Sequence, residues 1–123
     1  MNHEHRTVNH APSSLNETEL VEALLPSAIK ILQNDFHLSG IECYLHNFQG
    51  DVFHLRNSIV PLVERTGGPG SEIFYRLLYR VDIPESKVAE ALSNGGDTPI
   101  PVIISELLII RALQKAWYRA KFG

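Results

Sequence analysis

Apolar residues in this chain recur at helical spacing, and clusters of Gly, Pro and Asn divide them into segments. The most telling segment is residues 98–122, TPIPVIISELLIIRALQKAWYRAKF. On a wheel of about 100° per residue, Ile100, Val102, Ile103, Ile104, Leu107, Leu108, Ile109 and Ile110 cover nearly the full circle. From Arg111 onward only Leu113, Ala116, Trp117 and Ala120 keep one stripe apolar, and Arg111, Lys115, Arg119 and Lys121 fill much of the rest. A helix that is apolar all round must be buried all round. This segment is therefore expected to be the spine of the molecule or the heart of an interface, with Thr98 as its N-cap and Pro99 in its first turn.

The preceding segments also read as helices. Asn16 with Glu19 fits an N-cap and its partner, followed by Leu20, Leu24, Ile31 and Leu32 at helical spacing. Pro26 predicts a kink or two short helices there, and residues 35–40 close the segment at Gly40. Residues 41–48 are expected to form a short helical piece ending at Gly50. Asp51 is placed to cap a helix over Val52–Arg65, with Val52, Leu55, Ile59 and Val63 on one face and a bend at Pro61. Residues 66–71, TGGPGS, form the clearest loop. Ser71 starts a helix through residue 80, with Ile73, Leu77 and either Leu78 or Tyr79 inward. Asp82 and Glu85 suggest a capping box around Pro84. The helix Glu85–Ser93 then places Val88, Ala91 and Leu92 on its apolar side, and Asn94-Gly95-Gly96 stops it through a left-handed cap. Residues 77–83 and 101–104 are rich in branched side chains, but the polar positions of the long last segment do not alternate with period two, so strands are set aside. The fold class expected is all-α: a compact bundle of about five helices with a long, largely buried C-terminal helix. Residues 1–13, with His3, His5 and His10, are expected to be a disordered tail, and residues 14–123 one helical domain.

Composition narrows the setting. A chain of 123 residues with 44% hydrophobic and 20% charged residues suits one globular core. Its net charge of −3 gives no overall attraction to nucleic acid or anionic membrane. A single cysteine, Cys43, excludes an intramolecular disulfide and fits a reducing compartment, as a small buried apolar side chain. The opening residues lack an apolar signal core. The apolar run over 100–113 is broken by Ser105, Glu106 and Arg111 and is shorter than the roughly 17–25 residues of a membrane span. The expectation is a soluble cytoplasmic protein with no membrane association.

A monomer of this size has difficulty wrapping a helix completely, and each large aliphatic side chain gains about 1.5–3 kcal/mol on burial. Self-association removes the difficulty, so a homo-oligomer is expected, most simply a two-fold dimer. Its interaction residues are Ile103, Leu107, Ile110 and Trp117, with Tyr79, Arg80 and Asp82 at a neighbouring corner, where Arg80 is positioned to pair with Asp82 or Glu106. The cations Arg111, Lys115, Arg119 and Lys121 complement the helix dipole. A nucleic-acid contact through them, with Trp117 and Tyr118 interleaved, is the sharper alternative and is not the expected one.

Candidate chemistry is sparse. Glu42 and His46 lie four apart, Asp51 and His54 three apart, and Cys43, His37 and Asp35 are near in sequence. Helical spacing puts Glu42 and His46 on one face, so Glu42, His46, Asp51 and His54 form the one candidate metal or acid–base cluster. There is no HExxH and no pair of Glu-x-x-His motifs. The preferred reading is histidines among the aromatics Phe36, Tyr44, Phe48 and Phe53. The glycines of residues 67–70 precede a helix start, a place for an anion, but lack the GK[ST] ending of a phosphate loop and read as a connector. No catalytic residue, metal or cofactor is expected.

Leu78-Tyr79-Arg80 spells the LYR tripeptide of small helical mitochondrial assembly factors, but there it lies near the N-terminus with a downstream phenylalanine, so that match is rejected. Another likeness rests on Leu78-Tyr79-Arg80-Val81-Asp82-Ile83, Lys87-Val88-Ala89-Glu90-Ala91-Leu92, Ile104-Ser105-Glu106-Leu107 and Arg111-Ala112-Leu113-Gln114-Lys115. It resembles a family of small helical proteins from Bacteroidetes bacteria that share a Tyr-Arg-(Val/Ile)-Asp segment, a short helix ending in Ala-Leu and a closing helix with Arg-x-Leu-Gln-Lys. The likeness covers about residues 71–122. It implies a helical fold and brings no activity, so it supplies no catalytic residues. The function expected is non-enzymatic: a self-associating helical protein that binds an unidentified protein partner. The alternatives are a metal protein or enzyme built on Glu42, His46, Asp51 and His54, and a nucleic-acid-associated factor.

Overall fold

Five helices carry the computed structural model, which describes residues 10–45 and 47–123: α1 (Thr18–Leu38), α2 (Val52–Arg65), α3 (Glu72–Val81), α4 (Glu85–Ser93) and α5 (Ile100–Phe122). No strand occurs among the described residues. The all-α bundle and its long C-terminal helix are as read from the sequence. α5 is the spine: it packs against α1, α2, α3 and α4. Ile104, Leu108, Ile109, Ala112 and Leu113 of α5 are fully buried, and they join Leu32 and Phe36 of α1, Leu55 and Ile59 of α2, and Phe74 and Leu77 of α3 in one apolar cluster. Ser105 lies fully buried within that face because its hydroxyl donates to the Pro101 carbonyl at 2.7 Å, which answers the cost of a buried polar group.

The helix starts show where local chemistry prevailed. Asp51 caps α2 as expected: its carboxylate accepts from the N–H of Phe53 (3.0 Å) and of His54 (2.9 Å), and the Asp51 N–H donates to His54 Nδ1. The Ser71 hydroxyl caps α3 through the Phe74 N–H at 3.0 Å. Neither Pro26 nor Pro61 divides its helix. Both prolines face solvent, as do Glu22 and Asn57, whose carbonyls lose their helical donors.

Other expectations need correction. Asn16 does not cap α1; Glu17 stands at the N-cap, and its carboxylate reaches back to the Ser13 and Ser14 N–H groups at 2.7 and 3.0 Å. The helical piece expected over 41–48 does not form among the described residues of that range. Residues 41–45 are non-helical, with Ile41, Cys43 and Leu45 buried and Glu42 and Tyr44 exposed. Asp82 and Glu85 make no capping box: Asp82 ends α3 in the left-handed conformation (φ 69°), and Pro84 is the N-cap of α4. Ile73, expected inward, is exposed, because the buried stripe of α3 runs through Phe74, Leu77, Leu78 and Val81. Beyond α4, Asn94 is right-handed and Gly96 supplies the positive φ. Thr98 does not cap α5, which starts after Pro99 with Pro101 in its first turn. Of the tail expected over 1–13, residues 1–9, with His3 and His5, lie outside the described residues. Pro12 is buried, and Ala11 packs on the core.

Candidate functional site: the outer stripe of the spine helix

α5 divides its apolar residues between two opposite sides. The buried side is formed by Ile104, Ser105, Leu108, Ile109, Ala112, Leu113, Ala116 and Trp117. On the same wheel this sector is centred between Ser105 and Ala116. Roughly 180° away run Ile100, Ile103, Leu107 and Ile110. Ile100 is 49% exposed, and Ile103, Leu107 and Ile110 are half-buried. The Gly95 backbone lies hard against Ile103, whose Cδ1 occupies the space a Cβ at residue 95 would need. Cover from α4 is thin: Val88 is its one buried residue, and Ala91 and Leu92 are half-buried. Leu107 and Ile110 pack against the core cluster, so the stripe is part-covered within the chain and most open at Ile100. Beside it, Glu106 is held by Arg56 of α2 at 2.8 Å, so its charge is matched within the chain.

The neighbouring corner is built by α5 reaching across to the end of α3. Arg111 donates from Nη2 to the Asp82 carboxylate at 2.9 Å and from Nε to the Asp82 carbonyl at 3.1 Å. This double contact holds a non-glycine residue in the left-handed region, a conformation that Asp tolerates better than most. Lys115 donates to the Arg80 carbonyl and to the Asp35 carboxylate, both at 3.1 Å. The ion pair expected from Arg80 to Asp82 or Glu106 is therefore not the one formed: Arg111 takes Asp82 and Arg56 takes Glu106, while the Arg80 side chain is exposed. Tyr79 is 80% exposed. Trp117 is buried, with its ring edge-on to Tyr118 and Phe122 and with Lys121 Nζ 5.7 Å from its centroid.

These contacts also account for the basic end of α5. Arg111 and Lys115 are spent inside the molecule, and Arg119 and Lys121 remain exposed in the last turn. Cations in that turn complement the helix dipole.

The alternative metal cluster is not brought together among the described residues. Glu42 and a helical His46 cannot share a face, because residues 41–45 are not helical; His46 itself lies outside the described residues. Glu42 is exposed, and Asp51 and His54 are occupied with each other in the α2 cap. The His54 N–H, foremost among its donors, holds the Asp51 carboxyl below the usual carboxylate range. Asp35 is committed to Lys115, and His37 Nε2 donates to the Cys43 carbonyl at 2.7 Å. Burial pushes the Cys43 thiol up to about 11. Among the described residues, no three His, Cys, Asp or Glu side chains are grouped to hold a metal, and no helix is long and apolar enough to cross a membrane.

The glycine loop satisfies itself. The Thr66 hydroxyl donates to the Val63 carbonyl and accepts from the Gly68 N–H, and the Ser71 hydroxyl donates to the Thr66 carbonyl. A groove of about 640 Å³ lies between α1 and residues 45–51, walled by Leu25, Ile29, Leu45 and Phe48 and rimmed by Glu22 and Lys30. Its walls are apolar, and the titratable side chains that line it, Glu22, Lys30 and Asp51, are exposed to solvent.

Two contributors lie beyond the sequence reading. Glu17 clasps the segment before α1, and the spacing of Ser14 and Glu17, the outline of a capping box, is a signal that could have found it. The pairing of Arg56 with Glu106, 50 residues apart, leaves no trace in sequence spacing. Compared with family models, curated proteins and solved structures, the chain matches none.

Proposed function

We propose that this chain works by binding protein rather than by catalysis, and that it self-associates through the outer stripe of α5 with the Tyr79–Asp82 corner beside it. The observation that carries this reading is that Ile100, Ile103, Leu107 and Ile110 share one side of α5 and are only part-covered, with Leu107 and Ile110 resting on the margin of the core. Scattered apolar residues on a surface are ordinary; a continuous stripe of them on the central helix marks an interaction site. Four such side chains gain about 6–12 kcal/mol on full burial, of which well under half is left to a partner, the largest share at Ile100. The exposed ring of Tyr79 supplies an aromatic anchor of the kind enriched at interfaces. A two-fold dimer is the simplest closed arrangement.

A nucleic-acid role draws less support, since two of its four cations are engaged within the chain. The reading includes no metal and no cofactor, and it places the protein in the cytoplasm. The likeness of residues 71–122 to the Bacteroidetes proteins spans α3, α4 and α5, the elements that carry this surface, and brings no activity with it. Light scattering at tens of micromolar tests the reading. It expects twice the 13.8 kDa of one chain, falling to one chain in Leu107→Lys. A wild-type mass of one chain at every concentration refutes it.

A further inference from the structure

Between α1 and α5, on the side of α5 turned away from the outer stripe, lies a cleft of about 490 Å³. Ile31 and Ala116 form its buried floor, and the small side chain of Ala120 leaves it room. Asp35 lines it too, with only 10% of its side chain exposed. One Asp35 oxygen takes the Lys115 ammonium at 3.1 Å. The other accepts no hydrogen bond among the described residues, yet it is not sealed from solvent, so it faces the cleft. A nearly buried acceptor without a donor is costly, and this one is open to an O–H or N–H brought in from outside. Lys30 and Arg119 stand at the rim and form no ion pair among the described residues. Asp35 and Lys115 cancel each other, so these two cations are left over in a chain of net charge −3. The Ser27 hydroxyl and the Asn34 amide, on the α1 wall, add neutral donors and acceptors.

We infer that this cleft binds a small phosphorylated polyol. A phosphate monoester carries a charge of about −1.5 to −2 at neutral pH, which matches the two unpaired cations. The planar fork of Arg119 suits phosphate oxygens, and Lys30 adds a mobile point charge. The polyol hydroxyls donate to the open oxygen of Asp35 and exchange hydrogen bonds with Asn34, while the carbon skeleton rests on Ile31 and Ala116. A bare phosphate answers the cations and leaves the Asp35 oxygen unmet. An uncharged polyol does the reverse. The volume falls within the range of small-molecule sites, about 300–1,000 Å³. Nothing in this assignment uses the outer stripe, so it stands apart from the self-association reading.

NMR titration of the full chain tests this, with amide shifts followed at Ser27, Asn34, Ala116 and Ala120. The probes are glucose 6-phosphate, glycerol 3-phosphate, glucose and inorganic phosphate. At least one of the two phosphorylated polyols is expected to shift these amides and to bind at least about tenfold more tightly than glucose or inorganic phosphate, the gain of an added charge-assisted hydrogen bond. Lys30 also borders the groove beside residues 45–51, so Arg119 is the side chain that isolates this cleft. Arg119→Gln, at an exposed position in the last turn of α5, is expected to weaken that binding by at least about tenfold. Lys87→Gln, which removes an exposed cation on α4, is expected to leave it unchanged. Inorganic phosphate binding as tightly as both phosphorylated polyols would overturn the proposal, since Asp35 and Asn34 would then add nothing. So would shifts confined to other parts of the chain, equal loss in Arg119→Gln and Lys87→Gln, or no shift with either phosphorylated polyol.

Discussion

Replacing Lys115 by methionine keeps the side chain's bulk and removes its charge, and so isolates what the contact with Asp35 does. The ammonium group sits 3.1 Å from the Asp35 carboxylate and 3.1 Å from the Arg80 carbonyl, tying α5 to α1 and to the end of α3. Asp35 is only 7% exposed. Taking away one partner of a buried ion pair costs about 3–5 kcal/mol, because a charge is left behind without compensation. Here the two side chains keep 18% and 10% exposure, and water screens part of the loss. The expected cost of Lys115→Met is therefore about 2–3 kcal/mol. For a chain of this length each kcal/mol moves the melting point by about 3–5 °C, so a fall of roughly 6–15 °C follows. Asp35→Asn should cost less, about 1 kcal/mol, since the stem of Lys115 is long enough to carry its charge outward. In the cycle of Asp35→Leu, Lys115→Met and the two together, the double variant should lose less than the sum of the singles, with a coupling of about 2 kcal/mol. Urea unfolding followed by far-UV circular dichroism measures all of them. A Lys115→Met midpoint equal to wild type, or an Asp35→Asn loss exceeding that of Lys115→Met, would refute the reasoning.

Two further outcomes follow from groups that the fold has perturbed. The Ser13 N–H, with that of Ser14, holds the Glu17 carboxyl below the usual range. A carboxylate lowered on folding stabilises above its unfolded range, near about 4.3, and the gain is lost as pH falls through the lower folded value. Glu17→Gln is therefore expected to cost about 1 kcal/mol at neutral pH and nothing in strong acid; paired thermal melts check this, and a gap that does not change with pH refutes it. The buried Cys43 thiol, raised to about 11, carries thiolate in about one molecule in a thousand near pH 8. Ellman's reagent should label the native chain very slowly and label it fully in denaturant, whereas rapid stoichiometric labelling of the folded protein contradicts this burial.

Much of the fold is legible in the sequence because local signals agree with the final packing. Val52–Arg65 follows from its cap and period, Glu85–Ser93 from its period and the Asn-Gly-Gly stretch behind it although its expected capping box does not form, and the Asp51 and Ser71 caps need only neighbouring backbone. Residues 41–45 defeat the helical reading although they carry a signal: Ile41, Cys43 and Leu45 alternate with Glu42 and Tyr44, the period of an extended chain. No strand among the described residues pairs with this segment, so its backbone is served from α1 instead. The Ile41 N–H donates to the Phe36 carbonyl, the Leu45 N–H to the Gln33 amide oxygen, and the Cys43 carbonyl accepts from His37. Such contacts depend on α1 being in place, which spacing alone does not reveal. The cations are harder still. Arg111 and Lys115 resemble Arg119 and Lys121 in sequence, and only the approach of α3 and α1 separates the engaged pair from the exposed pair.

The order of elements along the chain bears on how it is made. α1, α2 and α3 are synthesised before the helix they close upon. Long-range closure of this kind is slow relative to helix formation, and an unfinished chain offers Leu32, Leu55 and Phe74 to whatever is nearby. Synthesis interrupted anywhere before residue 100 therefore yields sticky intermediates rather than a smaller stable protein, and a chaperone that shields nascent greasy helices would find its work here.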